Sequence, residues 1–202
     1  MAQAPPAPSP PPEEAPPSEA THQQWYDSLG WSVTVGGGVE DFTGDTMRRT
    51  TGTGGSWNVR ITGGTHSYIG FEASYIGSAQ SINALGLTTD STLVGNGVQG
   101  AVRINGTIHS PVQPFGYGGA AYRNYSLSTN GVNTSDIATH DNVLEVPLGV
   151  GLGVYLMDGS LAIDVRGEYR FAWGQRVLVP ETNGTSALLD RWGVMGNIGY
   201  AF

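Results

Sequence analysis

From Leu29 to Phe202 apolar residues alternate with polar or small ones at a period of two, in eight stretches of roughly ten residues separated by turn-rich segments. Only β-strands put successive side chains on opposite faces, so eight amphipathic strands are predicted. The first sets Leu29, Trp31, Val33, Val35 and Val39 against Ser32, Thr34, Gly36, Gly38 and Glu40. The sixth is the clearest, with Leu144, Val146, Leu148, Val150, Leu152 and Val154 against Glu145, Pro147 and three glycines. The fifth is the weakest: Phe115, Tyr117, Ala121 and Tyr125 read as its apolar face, and Arg123 falls on that same face.

Eight such strands close into a barrel, and the alternation alone does not say which face is inside. Two features place the apolar face outward. The polar face is dense in glycine and other small residues, as a narrow eight-stranded lumen requires and a solvated surface does not. Aromatic residues also fall at two levels of the apolar face, as in the girdles of bilayer-spanning barrels. Trp31, Phe115, Tyr155, Tyr200 and Phe202 are expected at one level, and Trp57, Tyr75, Tyr125, Phe171, Trp173 and Trp192 at the other.

The connections alternate in length. Those at Gly63 to Ser67, Gly106 to Gln113 and Met157 to Ser160 are short, the last carrying the Asp-Gly hairpin signal. Those at about Asp41 to Gly55, Ser78 to Thr92, Ser126 to Asn142 and Gly174 to Asp190 are long and polar. Short turns at one rim and long loops at the other fit an antiparallel meander with its long loops outside the cell.

Composition excludes several classes. With no cysteine there is neither a disulfide framework nor a thiolate zinc site. All nine cations are arginine, the formal charge is −8, and the basic face of a nucleic-acid binder is missing. The weakly polar run Val146 to Met157 is far short of the ~20 residues of a spanning helix. Residues 1–24 form a separate acidic tail, with eight of the twelve prolines between Pro5 and Pro17 and Glu13, Glu14 and Glu19 among them. Such a segment has little apolar surface to offset ordering entropy and reads as a disordered, polyproline-like spacer. Met1 directly before Ala2 reads as a start residue on a mature chain whose export signal has been removed.

From Trp25 to Phe202 the chain resembles eight-stranded outer-membrane barrels of the OmpA, OmpX and opacity-protein kind. The resemblance rests on strand count, loop asymmetry and the closing segment Trp192 to Phe202, in which Tyr200 and Phe202 are similar to the assembly signal of such barrels. It implies an all-β up-and-down transmembrane barrel in the bacterial outer membrane. The tail would lie in the periplasm, and the partners would be outer-membrane lipids, lipopolysaccharide and the barrel-assembly machinery. A monomer is expected, with the long loops free for a host or surface ligand.

The inward face is expected to carry Arg60, Arg103, Arg166 and Arg170 with Glu72, Glu145, Asp164 and Glu168, a balanced set that fills the lumen by mutual pairing. Arg123 is expected to face lipid near the outer interface and to contact lipopolysaccharide phosphate. No catalytic, cofactor or metal residue is assigned. Deacylases acting on lipid A place serine two residues from histidine, whereas His66, His109 and His140 have Tyr68, Pro111 and Asn142 there. The palmitoyltransferase type carries an amphipathic helix before its barrel, for which Gln23 to Leu29 is too short. The alternatives to a structural or surface-interaction role are OmpW-like passage of small hydrophobic molecules and lipid A modification. The inward charges argue against the former, and Pro147 and the sixth-strand glycines argue for it.

Overall fold

A computed structural model describes residues 29–82, 91–128, 140–157, 159–173 and 189–202. The tail, the centres of three long loops, Arg176 and Asp158 lie outside the described residues. The strands are β1 (Trp31–Phe42), β2 (Gly54–Gly63), β3 (Ile69–Ser81), β4 (Thr92–Asn105), β5 (Val112–Ser128), β6 (His140–Leu156), β7 (Leu161–Trp173) and β8 (Arg191–Ala201). Each pairs antiparallel with its sequence neighbour, and β1 pairs with β8 to close the barrel. Strands β5 and β6 reach 17 residues each, beyond the ~9–11 that cross a bilayer, so their pairing continues past it on the long-loop side.

The outer face is apolar. Val150, Ile69 and Ile104 are 69%, 67% and 63% exposed, while Arg60, Glu72 and Glu145, on inward positions, are 2%, 2% and 1% exposed. A soluble barrel has the reverse distribution. Glycine opposite an aromatic residue recurs on this face: the Phe71 ring covers Gly63, and the Trp57 indole covers Gly77. At the short-turn rim Trp31 meets Phe71 edge to face at 5.2 Å, and Tyr200 stacks near Phe202. Tyr200 and Phe202 both point outward, and the Phe202 backbone exchanges two hydrogen bonds of 2.9 Å with Trp31.

The short turns are set by glycine and one inward side chain. Gly64 and Gly159 have φ of +88° and +93°, where a Cβ would be strained. Asn105 Nδ2 reaches out of the lumen to the Gly64 and Ser67 carbonyls at 3.0 and 2.7 Å, tying the β2–β3 turn to β4. On the opposite rim the β1–β2 connection carries a six-residue helix, α1 (Asp45–Thr50), that the alternation did not reveal.

Strand β5 is turned over relative to the sequence expectation. Phe115, Tyr117, Ala121, Arg123 and Tyr125 are buried on the inner face, and Tyr122 is exposed. Phe115 and Tyr125 therefore leave the girdles assigned to them, and Tyr155 sits at the short-turn mouth beside Gly153 rather than among lipid-facing rings. The reason lies on β6, where Gly149 pairs with Tyr117 and Gly151 with Phe115. A Cβ at either glycine would occupy the ring of its partner. The missing side chains of β6 are the space that the β5 aromatics fill. The same β5–β6 pairing is interrupted at Gly119 and Ala120, opposite Pro147, which has no N–H to donate, and it resumes in unchanged register at Ala121.

Gly149→Val should therefore jam the lumen against Tyr117 and cost about 1–3 kcal/mol, as overpacking does. Gly167→Val, at a position with open space around its Cβ, should fold like the parent. Urea unfolding midpoints in detergent micelles, with unheated gel mobility as the measure of folded fraction, separate the two.

Candidate functional site: the charged lumen

Six arginines and five carboxylates point inward among the described residues, in two layers. The layer nearer the short turns is organised by Glu72 of β3. Its carboxylate takes Arg166 from β7 at 2.9 and 3.2 Å, Arg103 from β4 at 3.4 Å and Arg60 from β2 at 3.8 Å. Asp164 links two of these arginines, to Arg60 at 3.0 Å and to Arg166 at 3.1 Å, and also accepts from Asn197 at 2.8 Å. Asn58 and Asn105 accept from Arg60 and Arg103, so each of these guanidinium groups is held on more than one side.

The layer nearer the long loops is organised by Glu145 of β6. It receives Arg170 at 3.3 Å, Arg123 at 3.9 Å and a close Arg191. Glu40 of β1 bridges Arg123 at 3.1 Å and Arg191 at 3.7 Å. Glu168 takes Arg170 at 2.6 Å and the Tyr117 hydroxyl at 2.7 Å, and Gln99 accepts from Arg170 at 2.7 Å. Aromatic faces complete both layers: Arg103 lies 3.7 Å above Phe115, Arg166 is 4.7 Å from Tyr117, and Arg123 and Arg191 flank Tyr125. Between the layers, the space enclosed by Arg60, Gln99, Arg166, Arg170 and Met195 is a void of only about 10 Å³. That is at the lower limit for a single water molecule.

Above the second layer the inner face turns apolar. Phe42, Leu93, Tyr125, Val143, Ala172 and Leu189 converge there with Met47, which α1 inserts from the rim. These residues cap the charges on the long-loop side. Thr51, at the end of α1, donates its hydroxyl to the Met47 carbonyl at 2.7 Å and bridges to Ile82, holding the helix against the mouth.

All eight charges expected in the lumen are there, and the structure brings them together. Arg123 is corrected: it is 1% exposed inside the barrel and bound to Glu40 and Ser78, so it does not face lipid. Glu40 and Arg191 complete the network. Glu40 stands on the polar, inward face that the alternation gives the first strand, and Arg191 precedes the outward Trp192 by one residue, so it is readable by extending the period of two beyond the start of the last strand. At the opposite mouth His66 and His109, far apart in sequence, line one cavity with Gln113 and Tyr155. No group of three or more metal-ligating side chains occurs among the described residues.

A closed barrel of paired strands with an apolar exterior and its strand-borne arginines and carboxylates gathered in the interior is a transmembrane β-barrel. Solved structures of the same architecture are outer-membrane proteins. The attachment invasion locus protein Ail of Yersinia pestis aligns over 87% of this chain and 99% of its own, with 15% identity and a TM-score of 0.56. Neisserial surface protein A aligns over 85% and 97%, with 12% identity and a TM-score of 0.61. OprG of Pseudomonas aeruginosa aligns over 87% and 96%, with 14% identity and a TM-score of 0.55. At these identities the likeness establishes a shared eight-stranded barrel fold. No protein-family model and no curated protein matches the chain.

Removing the Glu72 carboxylate takes a partner from three arginines at once: Arg103 loses its carboxylate, and Arg60 and Arg166 are left with Asp164. Glu72→Ala should cost roughly 3–5 kcal/mol, the range for breaking a buried pair, and less if water enters the gap. Arg123→Ala should also destabilise, since it leaves Glu40 the longer Arg191 contact as its remaining ion pair, whereas a lipid-facing Arg123 would be neutral. Equilibrium unfolding in urea from micelles checks both.

Proposed function

We propose that this protein is an outer-membrane barrel with a plugged lumen, serving as a structural or surface-interaction protein without catalytic turnover. The observation that supports the reading is the filling of the interior: the two arginine–carboxylate layers leave a void of only about 10 Å³ between them, and an apolar cluster with Met47 lies above them. A conduction path needs a continuous wetted radius, and eight strands leave an interior that side chains fill. The long loops and the extended β5–β6 pair supply the surface available to an external ligand, and lipopolysaccharide and lipid surround the apolar belt. Assembly through the outer-membrane machinery would use the outward Tyr200 and Phe202 at the closing strand.

The interrupted pairing at Pro147 favours the second reading, lateral passage of small hydrophobic molecules, because it places a weak point in the wall. Two things weigh against it: the register is the same on both sides of the interruption, and Arg170 and Glu145 lie paired behind it. The Ail structure has also been determined with the heparin analogue sucrose octasulfate. That is a property of Ail, and it makes sulfated polysaccharide one reasonable first ligand to try on the loops of this chain.

Planar bilayers containing the protein should show no steady, porin-sized conductance, and lipid A incubated with it should be recovered unmodified. A stable open channel insensitive to changes in the lumen charges, or turnover of lipid A, would each replace this reading with one of its rivals. For topology, trypsin added to intact cells should cut at Arg48, Arg49 or Arg176, the arginines that the sequence places in the long connections, while an antibody to the tail should label only permeabilised cells. Labelling of intact cells by that antibody inverts the orientation.

A further inference from the structure

The mouth opposite the apolar cap is ringed by the three short connections. Its cavity, of about 510 Å³, takes His66 from the β2–β3 turn, Ile108 and Pro111 from the β4–β5 connection, and Leu156 and Met157 from the β6–β7 turn. The chain enters β1 beside the same ring. Gly30 has a φ of +70°, which breaks the extended backbone just ahead of the strand. Its carbonyl accepts from the Gly64 N–H at 2.9 Å, and the carbonyl of Leu29, the first described residue, accepts from the His66 N–H at 3.1 Å. A Cβ at Gly30 would run into the His66 ring. The incoming chain is thus pinned across the β2–β3 turn, against a residue that walls the cavity.

The cavity holds an acceptor that lacks a donor. Gln113 is 4% exposed, and its Oε1 has no hydrogen-bond partner among the described residues. A buried acceptor left unpaired is costly, and Ile108, Leu156 and Met157 offer apolar contact around the same space. An apolar ring with one N–H and no charge answers both needs. The indole of tryptophan is such a group, since it donates and does not accept. Trp25 stands four residues before Leu29, a reach of about 13 Å of extended chain, and no Phe, Tyr or Trp precedes it.

We propose that Trp25 folds back into this mouth, donates its indole N–H to Gln113 Oε1 and lays its ring against Ile108, Leu156 and Met157. The chain then closes its own short-turn mouth and fixes the point at which residues 1–24 begin. The rival placement is the membrane interface, where tryptophan also settles.

The test uses the full chain in micelles with ¹⁵N-labelled indoles, Trp25→Phe identifying the Trp25 signal among the five tryptophans. In the parent that N–H should exchange with water at least tenfold more slowly than in a free peptide of residues 20–29. It should show nuclear Overhauser contacts to Leu156 and Met157, and a nitroxide-labelled detergent should leave it sharp. Gln113→Leu removes the acceptor and should restore at least tenfold faster exchange. Trp25→Ala leaves the strands untouched and should shift the methyl signals of Ile108, Leu156 and Met157; unheated gel mobility confirms that each variant is folded. Exchange of Trp25 at the peptide rate places the indole in solvent, and broadening by the labelled detergent without contact to Met157 places it at the interface. Either result overturns the proposal, as does protection unchanged in a folded Gln113→Leu or methyl signals unchanged in Trp25→Ala.

Discussion

Two glutamates, each shared by three arginines from other strands, hold the interior of this barrel together. Closing eight strands sends every second side chain into a space too narrow for bulk water, and six of those side chains are arginine. An isolated guanidinium there would lose hydration without compensation. Glu72 and Glu145 resolve this by accepting from several directions, with Asp164, Glu40 and Glu168 completing the bridges. The use of arginine at all six cationic positions of the lumen suits the same geometry, because a planar fork of donors can serve two carboxylates and stack on an aromatic ring at once. Arg166 does so, holding Glu72 and Asp164 beside Tyr117.

The glycines answer a volume problem set by these arginines and their aromatic partners. Phe115 and Tyr117 enter the lumen only because β6 presents Gly151 and Gly149 opposite them, and the outer wall uses the same device where Phe71 and Trp57 cover Gly63 and Gly77. Filling of the lumen, charge pairing and strand composition are thus one constraint seen at three levels. The apolar cap of Phe42, Met47, Leu93 and Val143 adds a dry layer on the side of the long loops, where the strands extend past the membrane. Among the described residues the opposite mouth has no equivalent apolar cap, and a cavity lined by His66, His109, Gln113 and Tyr155 opens there.

Strand number, strand order and the short turns were legible because alternation at a period of two leaves little choice once both faces must be satisfied. The eight expected lumen charges were legible for the same reason. Strand β5 was misread because aromatic residues suit both the lipid face and a lumen provided with glycine, so hydrophobicity alone cannot set its phase. The charged residue could: Arg123 on a supposed lipid face signalled that the face was inside. Glu40 was legible as part of the first strand's polar face, whereas Arg191 lies at a strand end, where alternation blends into a loop. The apolar cap was hidden because apolar residues at inward positions, such as Val143, look like the end of the pattern rather than a continuation of it. Helix α1 is too short to announce itself in the sequence.

The central claim is that each shared glutamate acts on its own arginines and not as a diffuse charge. A double-mutant cycle tests it directly, with Glu72→Gln and Arg166→Met measured singly and together by urea unfolding from micelles. The account requires a coupling of about 0.5–3 kcal/mol between these two, and additivity within about 0.5 kcal/mol for Glu145→Gln with Arg166→Met, since those residues belong to different layers. Additive behaviour of Glu72 with Arg166, or equal coupling of both glutamates to it, would mean that the lumen holds solvated charges and that the pairing does not organise the barrel.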